Sequence, residues 1–133
     1  MSLENVGIMQ RAIEAINRGD LEASVADFAP DFEFVPSGLI PGSESVYRGL
    51  EDYRAYGEQL FAEFDDVRYE MHEVVEAGDQ VLISLTLRGT GKQSGAETSW
   101  SFFHVYAFRD GKVAHGQGFA DKQEALKAAG QQE

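Results

Sequence analysis

Apolar residues near the start of the chain recur in steps of three and four: Val6, Met9, Ile13 and Ile16, with Ile8, Ala12 and Ala15 beside them. That spacing predicts a helix over residues 3–18 with one buried face. It ends at Asn17-Arg18-Gly19, where glycine suits a left-handed cap. Asp20 then caps a short second helix that buries Leu21, Val25 and Phe28 and stops at Pro30. Residues 31–35 read as a strand, with Phe32 and Phe34 on one face and Glu33 and Val35 on the other. Residues 36–48 hold two prolines, two glycines and three serines. They predict a loop of the length that often rims a pocket. A third helix follows over residues 49–64, with Tyr53, Tyr56, Gly57, Leu60 and Phe64 as its inward stripe and Phe61 adjoining.

The period then changes to two. Residues 67–77 and 80–90 form strands joined at Gly78-Asp79, the second with Val81, Ile83, Leu85 and Leu87 on one face. Residues 91–97 turn the chain into a hairpin over residues 99–119. Its turn is Arg109-Asp110-Gly111-Lys112, because Asp-Gly between apolar runs tolerates the positive φ of a tight turn. The first arm is apolar on both sides: Trp100, Phe102, His104, Tyr106 and Phe108 on one, Phe103, Val105 and Ala107 on the other. Such a strand has both faces covered. Asp121 caps a last helix through Ala125, Leu126 and Ala129, ending at Gly130. The order α-α-β-α-β-β-β-β-α, with helices early and a four-stranded meander late, predicts an α+β fold with helices on one face of a curved, mostly antiparallel sheet.

Composition narrows the function classes. At 133 residues the chain reads as a single domain able to build a core without staples. It has no cysteine, which excludes disulfides and thiolate metal sites. The 23 acidic residues outweigh 11 basic ones, giving a net charge of −12. With no basic cluster to offset it, that balance argues against a nucleic-acid or anionic-membrane partner. No apolar run reaches a membrane span, and the N-terminus lacks the basic and apolar regions of a signal peptide, so the expected location is cytoplasmic.

His104 is the ionisable group placed mid-strand among aromatics, and histidine moves protons near neutral pH. Phe102 and Tyr106 flank it on the same face, which suits an apolar pocket with one polar handle. A core histidine satisfied by a tyrosine or the backbone is the competing reading. Tyr53 and Tyr56 offer hydroxyls to a ligand carbonyl, or are core residues with satisfied tips. Glu33 is a surface charge if Phe32 and Phe34 face the packing side, and otherwise a buried partner for His104. Trp100 fits a pocket wall or a subunit contact, and Gln117 reaches the cavity if its strand faces inward. The histidines lack metal-ligand spacing, so no metal is expected. Gly116-Gln117-Gly118 is no dinucleotide fingerprint, Gly89-Thr90-Gly91-Lys92 no phosphate loop, and no nucleophile elbow occurs. No cofactor is expected.

The chain resembles the SnoaL-like branch of the nuclear transport factor 2-like superfamily, which includes polyketide cyclases and ketosteroid isomerases. The resemblance rests on Ala15-Ile16-Asn17-Arg18-Gly19-Asp20-Leu21, Phe28-Ala29-Pro30-Asp31-Phe32, Tyr47-Arg48-Gly49-Leu50-Glu51, Glu76-Ala77-Gly78-Asp79-Gln80-Val81, Arg88-Gly89-Thr90-Gly91 and Arg109-Asp110-Gly111-Lys112-Val113, and spans nearly the whole chain. It implies a cystatin-like cone with an internal cavity, and a homodimer through the outer sheet face. Function does not follow from the fold alone. The positions of the ketosteroid isomerase donor, base and second donor are occupied by Ala12, Pro36 and His104, so that set is not kept. Where relatives often carry a Trp-Arg-Glu-like run, Gly116-Gln117-Gly118 opens space and removes charge. The resulting expectation is a cofactor-free cavity protein for a small apolar carbonyl or hydroxyl compound. If it is an enzyme, it transfers protons as an isomerase, cyclase or dehydratase-like lyase, with His104 as acid–base and a tyrosine of the third helix as donor. The alternative is a non-catalytic binding or interaction module.

Overall fold

The computed structural model describes residues 2–39 and 46–130. Helix α1 (Ser2–Asn17) ends at Gly19, whose φ of 79° is the left-handed conformation glycine supplies without strain. Helix α2 is one turn, Leu21–Ser24, with the Asp20 carboxylate accepting from the Ala23 amide at 3.0 Å. Strand β1 runs Phe28–Val35, β2 is Tyr47–Arg48, and α3 is Gly49–Glu63. Strands β3 (Phe64–Ala77), β4 (Gln80–Gly91), β5 (Glu97–Arg109) and β6 (Lys112–Phe119) form the meander, and α4 (Lys122–Ala128) closes the described chain.

Two expectations change. Phe28 belongs to β1 rather than to the second helix, because α2 stops after one turn and the chain is already extended at Phe28. The loop over 36–48 is interrupted by β2, where Glu33 pairs with Arg48 and Phe34 with Tyr47. Residues 40–45 of that loop lie outside the described residues.

The six strands form one unclosed sheet in the order β2-β1-β6-β5-β4-β3. Only the β1–β6 pair is parallel. The inner face carries Val81, Ile83, Leu85 and Leu87 of β4 and Phe102 and Tyr106 of β5, packed with α1, Phe32 and Phe34 in the main core. The outer face of β4 and β5 meets α4, where Leu82 and Val105 pack on Ala125 and Ala129. Both faces of β5 are thus covered. Asp121 caps α4 as its position predicts, its carboxylate accepting from the Gln123 amide at 3.0 Å.

One irregularity sets the inner lining. The hairpin begins in register, with Arg109 opposite Lys112 and Phe108 opposite Val113, but Ala107 faces His115. The extra residue is a β-bulge, and shifting a strand by one residue exchanges its faces. Gly116 therefore lies opposite Tyr106 and Gly118 opposite His104.

Candidate functional site

His104 projects inward from β5 and is 7% exposed. Its Nδ1 and the Tyr106 hydroxyl form a 2.8 Å hydrogen bond in which either group can donate. Two residues apart on one strand face, the side chains are neighbours by the period of the strand. The Phe102 ring stacks on the imidazole at 4.9 Å, and Phe34 meets it edge-on at 5.1 Å. His104 Nε2 has no hydrogen-bond partner among the described residues. No buried side-chain polar atom there lacks a partner, so Nε2 touches open space. His104 lines a cavity of about 40 Å³, whose other walls include Met9, Ile13, Ser24, Tyr53, Tyr69 and Tyr106. A second space of about 30 Å³ adjoins it, sharing Ile16, Ser24, Tyr53 and Tyr69, with Tyr56, Gly57 and the charged Arg54 among its further walls.

The lining is uncharged around the imidazole. Burial pushes the His104 pKa down to about 3, because a low-dielectric surround penalises the imidazolium. Burial likewise raises Tyr53 to about 12, moderated by its interaction with the Tyr106 hydroxyl. Tyr69 is raised well above its ordinary value by burial, then by Tyr56 and Tyr53. Tyr106 is raised by burial, then by Tyr53 and Tyr69, and Tyr56 by burial, then by Tyr53 and Tyr47. Four phenols thus lie close enough to sense one another, and all stay protonated near neutral pH. The arrangement supplies hydroxyl donors and one neutral imidazole.

The expected site residues separate into two groups. Tyr53, Tyr106 and His104 line the first cavity and Tyr56 the second, while Phe102 supports the imidazole from behind. Trp100 shares their strand face but packs edge-on against Phe64 at 5.6 Å, toward the other end of β5 and away from both cavities. Two assignments are corrected. Glu33 lies on the outer face, since Phe32 and Phe34 fill the core, and its half-exposed carboxylate sits 3.5 Å from Arg48. Gln117 also points outward, opposite Val105 of the outer face, because the bulge at the hairpin exchanged the faces of β6.

The glycines of β6 do not leave empty space either. A Cβ on Gly116 would sit 2.8 Å from Tyr106 Cε1 and 3.0 Å from Phe34 Cδ1. The room is taken by two rings, and the Tyr106 ring lies over Gly116 in the pose that meets His104. Tyr69 is the wall residue that sequence reasoning missed. It alternates with Val67 and Met71 on β3, a period-two signal that was available. Its backbone is held by Asn17, whose Nδ2 donates to the Tyr69 carbonyl at 3.0 Å and whose Oδ1 accepts from the Tyr69 amide at 2.8 Å.

A larger depression, about 610 Å³, lies elsewhere, between α1 and the β3–β4 and β5–β6 turns. It is an open groove with a charged rim, and its Arg11 and Arg109 are already paired with Asp27 and Asp31. The cavity beside His104, though smaller, has the convergent polar groups of a small-molecule site. Among the described residues, no three His, Asp or Glu side chains gather as metal ligands. No helix there is long and apolar enough to cross a membrane.

The SnoaL-like domain profile matches residues 9–116. The chain belongs to the SnoaL-like family. The matched span runs from α1 into β6 and so includes His104, Tyr106, Tyr53 and Tyr69. Solved structures agree on the fold of this SnoaL-like chain. A nuclear transport factor 2-like protein of unknown function from Burkholderia pseudomallei is 22% identical, with 93% of this chain and 95% of that one covered and a TM-score of 0.79. A SnoaL-like protein from a Jannaschia species, assigned to the polyketide cyclases without a shown activity, is 19% identical, with 99% and 95% covered and a TM-score of 0.77. TerC, co-crystallised with polyporic acid, is 19% identical, with 96% and 98% covered and a TM-score of 0.78. No curated protein matches the chain.

Proposed function

We propose that this SnoaL-like chain is a cofactor-free small-molecule protein that takes a compact, neutral carbonyl or hydroxyl compound into the cavity beside His104. The observation that carries this is the lining: an imidazole and phenols, uncharged at neutral pH, with Nε2 of His104 lacking a partner among the described residues. A ligand oxygen there accepts from Tyr53 or Tyr69, as in donor sites that stabilise charge developing on a carbonyl. A carboxylate ligand would be desolvated with no cation to meet it among the walls around His104.

The reaction class that fits is isomerase- or cyclase-type proton transfer, with the tyrosines as electrophilic donors and Nε2 of His104 as base. A second reading, binding without catalysis, has its own support. A His104 pKa of about 3 makes the imidazole a weaker base than free histidine by about 5 kcal/mol. Ligand contact that stabilises the imidazolium must recover that difference if the site is catalytic.

One experiment separates these readings. Thermal shift with neutral cyclic ketones and phenols, set against matched carboxylates, reports binding. Deuterium exchange at the ketone α-carbon, followed by NMR, reports proton transfer. A shift with neutral compounds and accelerated exchange supports the enzyme, and a shift without exchange supports the binding module. No shift with any neutral compound overturns both.

A further inference from the structure

The two cavities together hold only a few water molecules, since a site needs roughly 10–15 Å³ per water on this measure. A ligand with a ring needs the wall to move. The walls are unequal. The sheet is tied by its ladders, and α1 and α3 are long, at 16 and 15 residues. Helix α2 has four residues, too few to hold a helix on its own. It forms part of the roof where the cavities meet: Ser24 lines both, and Leu21 lines the second.

Its seam with α3 is thin. Leu21 rests on Gly57, where a Cβ would come within 3.1 Å of Leu21 Cδ2. Beside it, Arg54 donates to Glu22 at 2.8 Å, with the side chains 37% and 80% exposed. An exposed ion pair of this kind holds weakly. On the upstream side the chain passes through Gly19, in the left-handed conformation.

We propose that α2 is the door of the cavity: it swings from α3 about Gly19 to admit the ligand, and the Glu22–Arg54 pair is its latch. This rests on the cavity being the ligand site, but the motion can be observed without any ligand. Hydrogen–deuterium exchange on the full chain, read by mass spectrometry, should show residues 20–25 opening faster than α1 or α3. Glu22→Gln should raise that exchange about two- to five-fold while leaving β4 and β5 unchanged.

The absence of native cysteine allows a clean lock. Leu21 Cγ lies 3.9 Å from a Cβ placed at position 57, so a Leu21→Cys/Gly57→Cys pair faces itself across this seam. Oxidised, it should slow exchange in residues 20–25 and cut the association rate of 2-naphthol at least tenfold, and reduction should restore both. Equal exchange in α2 and α3, or association unaffected by the lock, overturns the door. If 2-naphthol and the ketones fail to bind wild type, the ligand reading falls and exchange alone decides the door. If the double variant does not fold, the Glu22→Gln exchange decides it.

Discussion

Replacing Gly116 by alanine tests how β6 builds the site. The new Cβ would stand 2.8 and 2.9 Å from two ring carbons of Tyr106 and 3.0 Å from Phe34. These are rigid rings, 5% and 2% exposed, and neither can swing away as the tip of a flexible side chain would. Overpacking of this kind costs about 1–3 kcal/mol. Moving the Tyr106 ring also breaks its 2.8 Å bond to His104, and an unsatisfied buried polar group costs about 1–3 kcal/mol more. Alanine recovers about 0.5–1 kcal/mol of backbone entropy relative to glycine. The expected net loss is about 2–4 kcal/mol, measured by urea denaturation with an unchanged m value. The structural cause is isolated by a double-mutant cycle with Tyr106→Leu, in which the alanine should cost under about 1 kcal/mol once the ring is gone. A Gly116→Ala protein within about 0.5 kcal/mol of wild type would refute the packing argument, as would an equal cost in both backgrounds.

Other consequences follow from the same geometry. His104 has a folded-state pKa of about 3 against an ordinary 6.5, so the unfolded chain binds more protons between those values. Its contribution to stability is therefore complete above pH 6.5 and is lost as pH falls toward 3. From pH 7 to 5, wild type should lose about 2 kcal/mol more than His104→Asn, and parallel pH profiles would contradict the buried neutral imidazole. Asn17→Ala removes both hydrogen bonds to the Tyr69 backbone and should cost about 1–3 kcal/mol in denaturant melts, with faster amide exchange at Tyr69. Tyr53→Phe and Tyr69→Phe should each weaken binding of a ketone that gives a thermal shift by about three- to tenfold in calorimetric titration, with the fold intact. Unchanged affinity in both would remove the phenols as donors.

Much of this architecture is written in periodicity. The β5 alternation placed His104, Phe102 and Tyr106 on one face, and that face is the core. Gly19, Asp20 and Asp121 announced the ends of helices through local chemistry that needs no tertiary context. What was illegible depended on register. Had the Asp110-Gly111 hairpin continued without a bulge, Gln117 would stand opposite His104 and face inward. One extra residue at Ala114 sends it outward and brings Gly116 under Tyr106. Nothing local in Val113-Ala114-His115 marks that insertion. Strand β3 keeps its alternation through Tyr69 and loses it on either side, at register shifts between Asp65 and Arg68 and between Met71 and Val74. Glu33 was decidable only once the packing side of Phe32 and Phe34 was known. The two-residue β2 is too short to carry a period at all.

The separation of charge in this SnoaL-like chain bears on the ligand class proposed for it. Among the described residues no Asp, Glu, Lys or Arg belongs to the buried set, where the ionisable groups are His104 and tyrosines. The low-dielectric interior that results moves the histidine down and the phenols up, and both shifts favour the neutral form. A site of that kind works through hydrogen bonds. It gains from a ligand oxygen that accepts from a phenol, and around His104 it offers an anion no cation to offset desolvation. Any proton abstraction must therefore create its ion pair inside the cavity, imidazolium against enolate, with the tyrosine donors on the enolate oxygen. Such a pair is favourable only while water is excluded and the charges are held close. The features that keep the site small and make His104 a weak base are then the ones that would strengthen the charges formed on reaction.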